Sequence, residues 1–151
     1  MQEFKRLSDH QKIDLASYVS DYIKKNPTVE ILIGTDSQIF GSKTRYATVV
    51  VIYFPRNGGH VLYSTVNEPN EYRDQDRLWK EVMKSVDVAE FLNKEHGIKA
   101  KSIDLDLNPD PKYLSNEVLR SAVGYVEALG YKARVKHNEN YSICIADFLC
   151  R

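Results

Sequence analysis

Residues 31 to 37 read Ile-Leu-Ile-Gly-Thr-Asp-Ser. Ile31, Leu32 and Ile33 form a short apolar run rich in β-branched residues, the composition of a buried strand, and Gly34 lets another backbone approach. Asp36 then places a carboxylate at the end of that strand. A carboxylate there loses solvation unless a cation or hydrogen-bond donors meet it. Three further acids stand where the chain could return to it: Glu81, Asp106 and Asp147.

Upstream, Ser8-Asp-His-Gln11 has the spacing of a capping box. Leu15, Tyr18, Val19, Tyr22 and Ile23 recur at helical intervals after it, and Pro27 closes the helix. Downstream, the first strand spans Val29 to Asp36, Phe40-Gly-Ser-Lys43 is a turn, and Tyr46 to Phe54 is a long second strand. Pro55-Arg-Asn-Gly-Gly59 is a strong turn signal, with His60 to Val66 as the returning third strand. These three strands make an antiparallel meander.

The period then changes from two to 3.6. Leu78, Val82, Val86, Ala89 and Leu92 predict a helix over Arg77 to Glu95, with Gly97 as its terminating glycine. Lys101 to Leu107 is the fourth strand, Ser115 to Leu129 a helix ended by Gly130, and Tyr131 to Lys136 the fifth strand; Tyr141 to Arg151 predicts a short terminal helix. Right-handed crossovers put the fourth strand beside the first and the fifth beyond it. The expected fold is α/β, a mixed five-stranded sheet of order 3-2-1-4-5 flanked by helices. It forms one domain over residues 1–151, with an extra N-terminal helix in 1–27 and the core in 28–151. Asp36 and Asp106 should meet at neighbouring strand ends.

The 151 residues suffice for one substantial core, and 42% hydrophobic with 28% charged residues is ordinary for a globular chain. No apolar run approaches the roughly 20 residues of a membrane span. The start, Met1-Gln-Glu-Phe-Lys-Arg, lacks the apolar core of a secretory signal, so cytoplasm is the expected location. Cys144 and Cys150 lack metal-site spacing and read as free thiols. The 21 basic and 21 acidic residues cancel, which argues against coating nucleic acid by bulk charge. An acidic metal site with a basic rim would cancel in the same sum.

Four carboxylates converging in one crevice repel unless divalent cations neutralise them. Oxygen donors without His or Cys favour Mg2+ or Mn2+, and two such ions about 4 Å apart suit in-line phosphodiester hydrolysis. Each residue also has a plainer reading. Asp36 could make an Asx turn with Gln38. Glu81 alone reads as a solvated helix residue, and Asp147 is weakly supported by spacing alone. Asp104 and Asp106 alternate with Asn108 and Asp110 as in a calcium loop, but Pro109 and Ser115 stand where that loop needs glycine and glutamate. Asp104-Leu-Asp106 comes too late in the chain for a haloacid dehalogenase-type phosphatase. His137 reads as a proton shuttle or a solvated loop residue. Lys132, Arg134 and Lys136 share a face of the last strand, either to hold a phosphate backbone or to protect a sheet edge. Trp79 and the tyrosines read as packing residues.

Gly-Thr-Asp-Ser-Gln at 34–38, Arg-Leu-Trp-Lys-Glu at 77–81, Asp-Leu-Asp-Leu-Asn at 104–108 and Ile-Ala-Asp at 145–147 resemble the YkuK-like family, a bacterial group of ribonuclease H-like proteins. The likeness covers about residues 28 to 148, and its most specific element is 34–38. It implies a ribonuclease H-like sheet, with the acids of that superfamily falling on Asp36, Glu81, Asp106 and Asp147. It further implies that Asp36 bridges two metal ions, Glu81 and Asp106 hold one and Asp147 the other, with Asp104 an extra acid. Two functions of different class follow. One is a two-metal nuclease acting on RNA, an RNA–DNA hybrid or a DNA junction. The other is a non-catalytic module that binds nucleic acid or a protein partner.

Overall fold

The computed structural model describes residues 2–106 and 115–135, together with Ala146 and Leu149. A seven-stranded mixed sheet carries the fold. In chain order its elements are β1 (Phe4–Arg6), β2 (Lys12–Ile13), α1 (Leu15–Lys25), β3 (Glu30–Phe40), β4 (Lys43–Tyr53), β5 (Gly59–Pro69), α2 (Asp74–His96), β6 (Ser102–Leu105), α3 (Ser115–Ala128) and β7 (Lys132–Val135). The strand order is β2-β1-β5-β4-β3-β6-β7. The five expected strands lie in the expected order, β5-β4-β3-β6-β7, but the sheet is wider by two.

The additional ribbon corrects the reading of the N-terminus. Ser8 does not cap a helix. Residues 7–11 connect β1 to β2, held by the Arg6 N–H on the Gln11 carbonyl at 2.9 Å, the Gln11 N–H on Asp9 at 3.1 Å, and His10 with positive φ. Asp14 caps α1 instead, its carboxylate accepting the Ser17 N–H at 3.0 Å. Phe4, 1% exposed, draws β1 onto the free edge of β5 by entering the core.

The second difference concerns the length of the meander. β3 does not stop at Asp36 but continues to Phe40, paired residue by residue with β4 down to Phe40↔Lys43. The parallel pairing with β6 covers only Leu32↔Ser102, Ile33↔Ile103 and Gly34↔Asp104. Asp36 therefore lies in mid-strand, just past the point where its parallel neighbour ends. That point is also where a crevice opens between β3, β6 and α2.

Alternation sends Ile31 and Ile33 to one face of β3, where they pack with Val50, Ile52, Val82, Val86, Ala89 and Leu92. Leu32 points the other way, into a smaller cluster with Ala47, Val49, Val51 and Ala146, with Leu149 packed against it. In α2 the buried residues Glu81, Val82, Ser85, Val86, Val88, Ala89 and Leu92 form one stripe at helical spacing. The helix ends at Gly97 in the left-handed region (φ 68°), with the Gly97 N–H on Asn93 and the Ile98 N–H on Leu92, both at 2.9 Å. Among the described residues no helix is long and apolar enough to cross a membrane. The expected terminal helix, Tyr141 to Arg151, lies outside the described residues apart from Ala146 and Leu149, as do Cys144 and Cys150.

Candidate functional site

α2 is fixed to β3 by a buried hydroxyl chain. Thr35 Oγ1 donates to Thr48 Oγ1 at 3.1 Å and lies 2.8 Å from Ser85 Oγ. One turn earlier on the same helical stripe is Glu81, which is only 5% exposed. Ser37 Oγ donates to Glu81 Oε1 at 2.5 Å, and Arg77 Nη1 donates to Ser37 Oγ at 2.9 Å while lying 3.5 Å from Glu81 Oε1. Arg77 and Glu81 are an i,i+4 pair, so this clasp is built from one helix turn and one strand residue. At the far side of the helix start, Lys80 bridges Glu68 at 2.8 Å and Glu71 at 2.6 Å, which ties α2 to the end of β5.

Asp36 is buried, at 8% exposure, and accepts the Ser37 N–H at 2.8 Å. Burial pushes the Glu81 carboxyl well above the usual glutamate value. The Asp36 charge raises it further and Asp106 adds to the same effect, against the Ser37 hydrogen bond and the Arg77 charge. Glu81 thus lies within the field of both Asp36 and Asp106, which stand on other elements. Thr35, Glu81, Val82, Asp104, Leu105 and Asp106 line a single narrow crevice. Among the described residues no three His, Cys, Asp or Glu side chains stand as a ready-made ligand set. Asp147, Lys136 and His137 lie outside the described residues.

The raised Glu81 value has a consequence for stability. Below about pH 4 the group is protonated in both folded and unfolded chains and contributes nothing. As pH rises past the ordinary value of 4.5, the unfolded chain ionises freely while the folded one resists, so stability falls. Glu81→Gln should therefore raise the melting temperature of the metal-free protein at neutral pH by a few degrees. The gain should vanish as pH drops below 4.5, which thermal scans across pH would read.

Asp104 has a different environment. It is 1% exposed, with Arg134 Nε at 2.8 Å from Oδ1, Nη2 at 3.0 Å from Oδ2, and Ser102 Oγ donating to Oδ1 at 3.0 Å. The register Asp104↔Arg134 between β6 and β7 sets up this two-pronged pair. The structure thus gives Arg134, expected as a phosphate contact, a carboxylate partner inside the fold. Lys132 is exposed on the outermost strand. Ser37 and Arg77 were not singled out from the sequence. Their signal was present in the i,i+4 spacing of Arg77 and Glu81 and in the adjacency of Ser37 to Asp36.

A family model described as ribonuclease H-like matches residues 14–151. The chain belongs to the ribonuclease H-like family. The YkuK-like resemblance of residues 34–38, 77–81, 104–108 and 145–147 agrees with that membership. No curated protein matches the chain. As a ribonuclease H-like protein it is a nuclease-like or nucleic-acid-binding module, built on a mixed sheet with three helices among the described residues.

Proposed function

We propose that this protein is a divalent-metal-dependent nuclease, with Asp36, Glu81 and Asp106 as catalytic metal ligands and Asp147 as the fourth acid. The observation that carries the reading is the convergence of Asp36 on β3 and Asp106 just after β6 on the buried Glu81 of α2, whose carboxyl their charges push upward. A fold tolerates such repulsion where a cation relieves it. The all-oxygen donor set fits Mg2+ or Mn2+, in two ions as the family pattern implies. Bound there, the ions would lower the pKa of a water and neutralise charge on the phosphodiester.

The chain's own residues orient that chemistry. Ser37 and Arg77 hold the Glu81 carboxylate beside β3 when no ion is bound, and a bound ion would draw it from them. Asp36 is fixed by the backbone amide that follows it. Asp147 is assigned to the site on the family pattern alone. The substrate is RNA, an RNA–DNA hybrid or a DNA junction. The Ser37–Arg77–Glu81 clasp also favours a second reading, since Glu81 already has partners without a metal: a non-catalytic module that binds nucleic acid or a protein.

Cleavage assays over hybrid, single-stranded and junction substrates, with magnesium, manganese or EDTA, separate the two. Ion-dependent cleavage of any substrate supports the nuclease, and binding without cleavage under every ion supports the module. An independent check is thermal. Ions that bind only the folded state at a hundred times their Kd stabilise by about 2.7 kcal/mol. Millimolar manganese should raise the melting temperature by several degrees and do so less for Asp36→Asn. An unchanged melting temperature would count against a metal site.

A further inference from the structure

β3, β4 and β5 run past the acids as a three-stranded tongue, with β3 and β4 joined through Gly41 and Ser42 and Gly41 in the left-handed region (φ 58°). Four large apolar side chains are exposed among the described residues, and three belong to this end of the molecule: Ile39 at 49%, Phe40 at 44% and, in the adjacent loop after β5, Tyr72 at 100%. Ile39 and Phe40 point to opposite faces by alternation, and it is Phe40 that shares a face with Asp36. The tongue is also braced. The Asn70 N–H donates to the Ser42 carbonyl at 3.2 Å, Asn70 Nδ2 donates to the Gly41 carbonyl at 2.7 Å, and Thr44 Oγ1 donates to Asn70 Oδ1 at 2.8 Å. Exposed aromatic surface is thus presented on a backbone fixed in advance, the arrangement that lowers the entropy cost of binding.

Its chemistry points to one kind of partner. The Arg45 guanidinium lies 4.8 Å from the Phe40 ring centroid, across the strand pair on the diagonal, and Arg45 Nε donates to Asn67 at 3.3 Å. Residues 37–46 include Lys43 and Arg45 and no acid. Asp36, Gln38 and Phe40 alternate onto one face of β3, so the ring lies about 13 Å along the strand from the candidate metal ligand. That is three to four stacked nucleotide steps at roughly 3.4 Å each.

We propose that the tongue grips a single-stranded segment of nucleic acid, with an unpaired base stacked on Phe40, Arg45 and Lys43 facing the phosphates, and the strand leading to Asp36. The proposal rests on the nucleic-acid reading of the site above. Stacking selects unpaired nucleotides because only they offer a free ring face, and the two cations without an acid complement a phosphodiester chain rather than a protein of mixed charge.

Binding of labelled single-stranded and blunt duplex oligonucleotides to the full chain in EDTA, where cleavage is silent, tests this. The wild type should prefer the single strand. Phe40→Ala should weaken that binding by roughly tenfold and leave the duplex unmoved. Arg45→Gln should weaken it and flatten its salt dependence by roughly 0.7 per lost phosphate contact. Phe40→Trp should restore affinity, with its fluorescence quenched by the bound strand. The proposal is overturned if Phe40→Ala binds the single strand as the wild type does, if the wild type binds no single strand, or if Phe40 proves to hold two copies of the chain together in light scattering. If Phe40→Ala is silent while Asp36→Asn still removes cleavage, the tongue assignment alone fails. If no nucleic acid is bound and none is cleaved, the nuclease reading fails with it.

Discussion

Asp104→Ala should destabilise the fold by about 3–5 kcal/mol, toward the lower end because Arg134 retains 19% side-chain exposure and can be rehydrated. Removing the carboxylate takes away the acceptor on which Arg134 places both prongs and to which the Ser102 hydroxyl donates. Arg134→Lys should lose much of the same stability, since an ammonium cannot make the forked contact. Urea unfolding of Asp104→Asn, Arg134→Gln and the double variant would give the coupling as a cycle. Strong coupling is expected between these two and none between Arg134 and Asp36. If Asp104→Ala unfolds like the wild type but loses ion-dependent stabilisation, Asp104 belongs with the metal ligands instead.

That contrast shows what the sequence could and could not tell about the site. Asp104 and Asp106 alternate onto one side of the same short stretch, and composition does not distinguish them. What separates them is the register of β6 against β7, a tertiary fact, which puts Arg134 opposite Asp104. The order of the central strands was readable because local chemistry dictates it: the β-branched run at 31–33, the turn at 55–59, the apolar stripe from Leu78 to Leu92, and Gly97 in the conformation a helix terminator needs. The β1–β2 ribbon was not readable, because two very short strands exist only through docking on β5 and through Phe4 in the core. Ser8 to Gln11 matched a capping box, yet Asp14 was nearer the apolar stripe and won the helix start. β3 outran its predicted end because β4 supplies the pairing as far as Phe40, whatever the polarity of Ser37 and Gln38.

Asp36→Asn should abolish ion-dependent cleavage, by a thousandfold or more, while substrate affinity stays near that of the wild type. A bridging carboxylate acts mainly on the transition state, and several kcal/mol at about 1.4 kcal/mol per tenfold gives that loss. The metal-free variant should be as stable as the wild type or more so, because one of the like charges around Glu81 is gone. A variant that cleaves normally removes Asp36 from catalysis. One that fails to fold identifies the Asp36 contact with the Ser37 amide as structural.

Anomalous diffraction from crystals grown with manganese tests the metal centre without requiring the substrate to be known. Manganese should lie between the carboxylates of Asp36 and Asp106, with Glu81 turned to it, at the roughly 2.0–2.2 Å of hard-ion coordination. No peak at Asp36 in crystals that bind manganese elsewhere, with Glu81 still held by Ser37 and Arg77, would contradict the account.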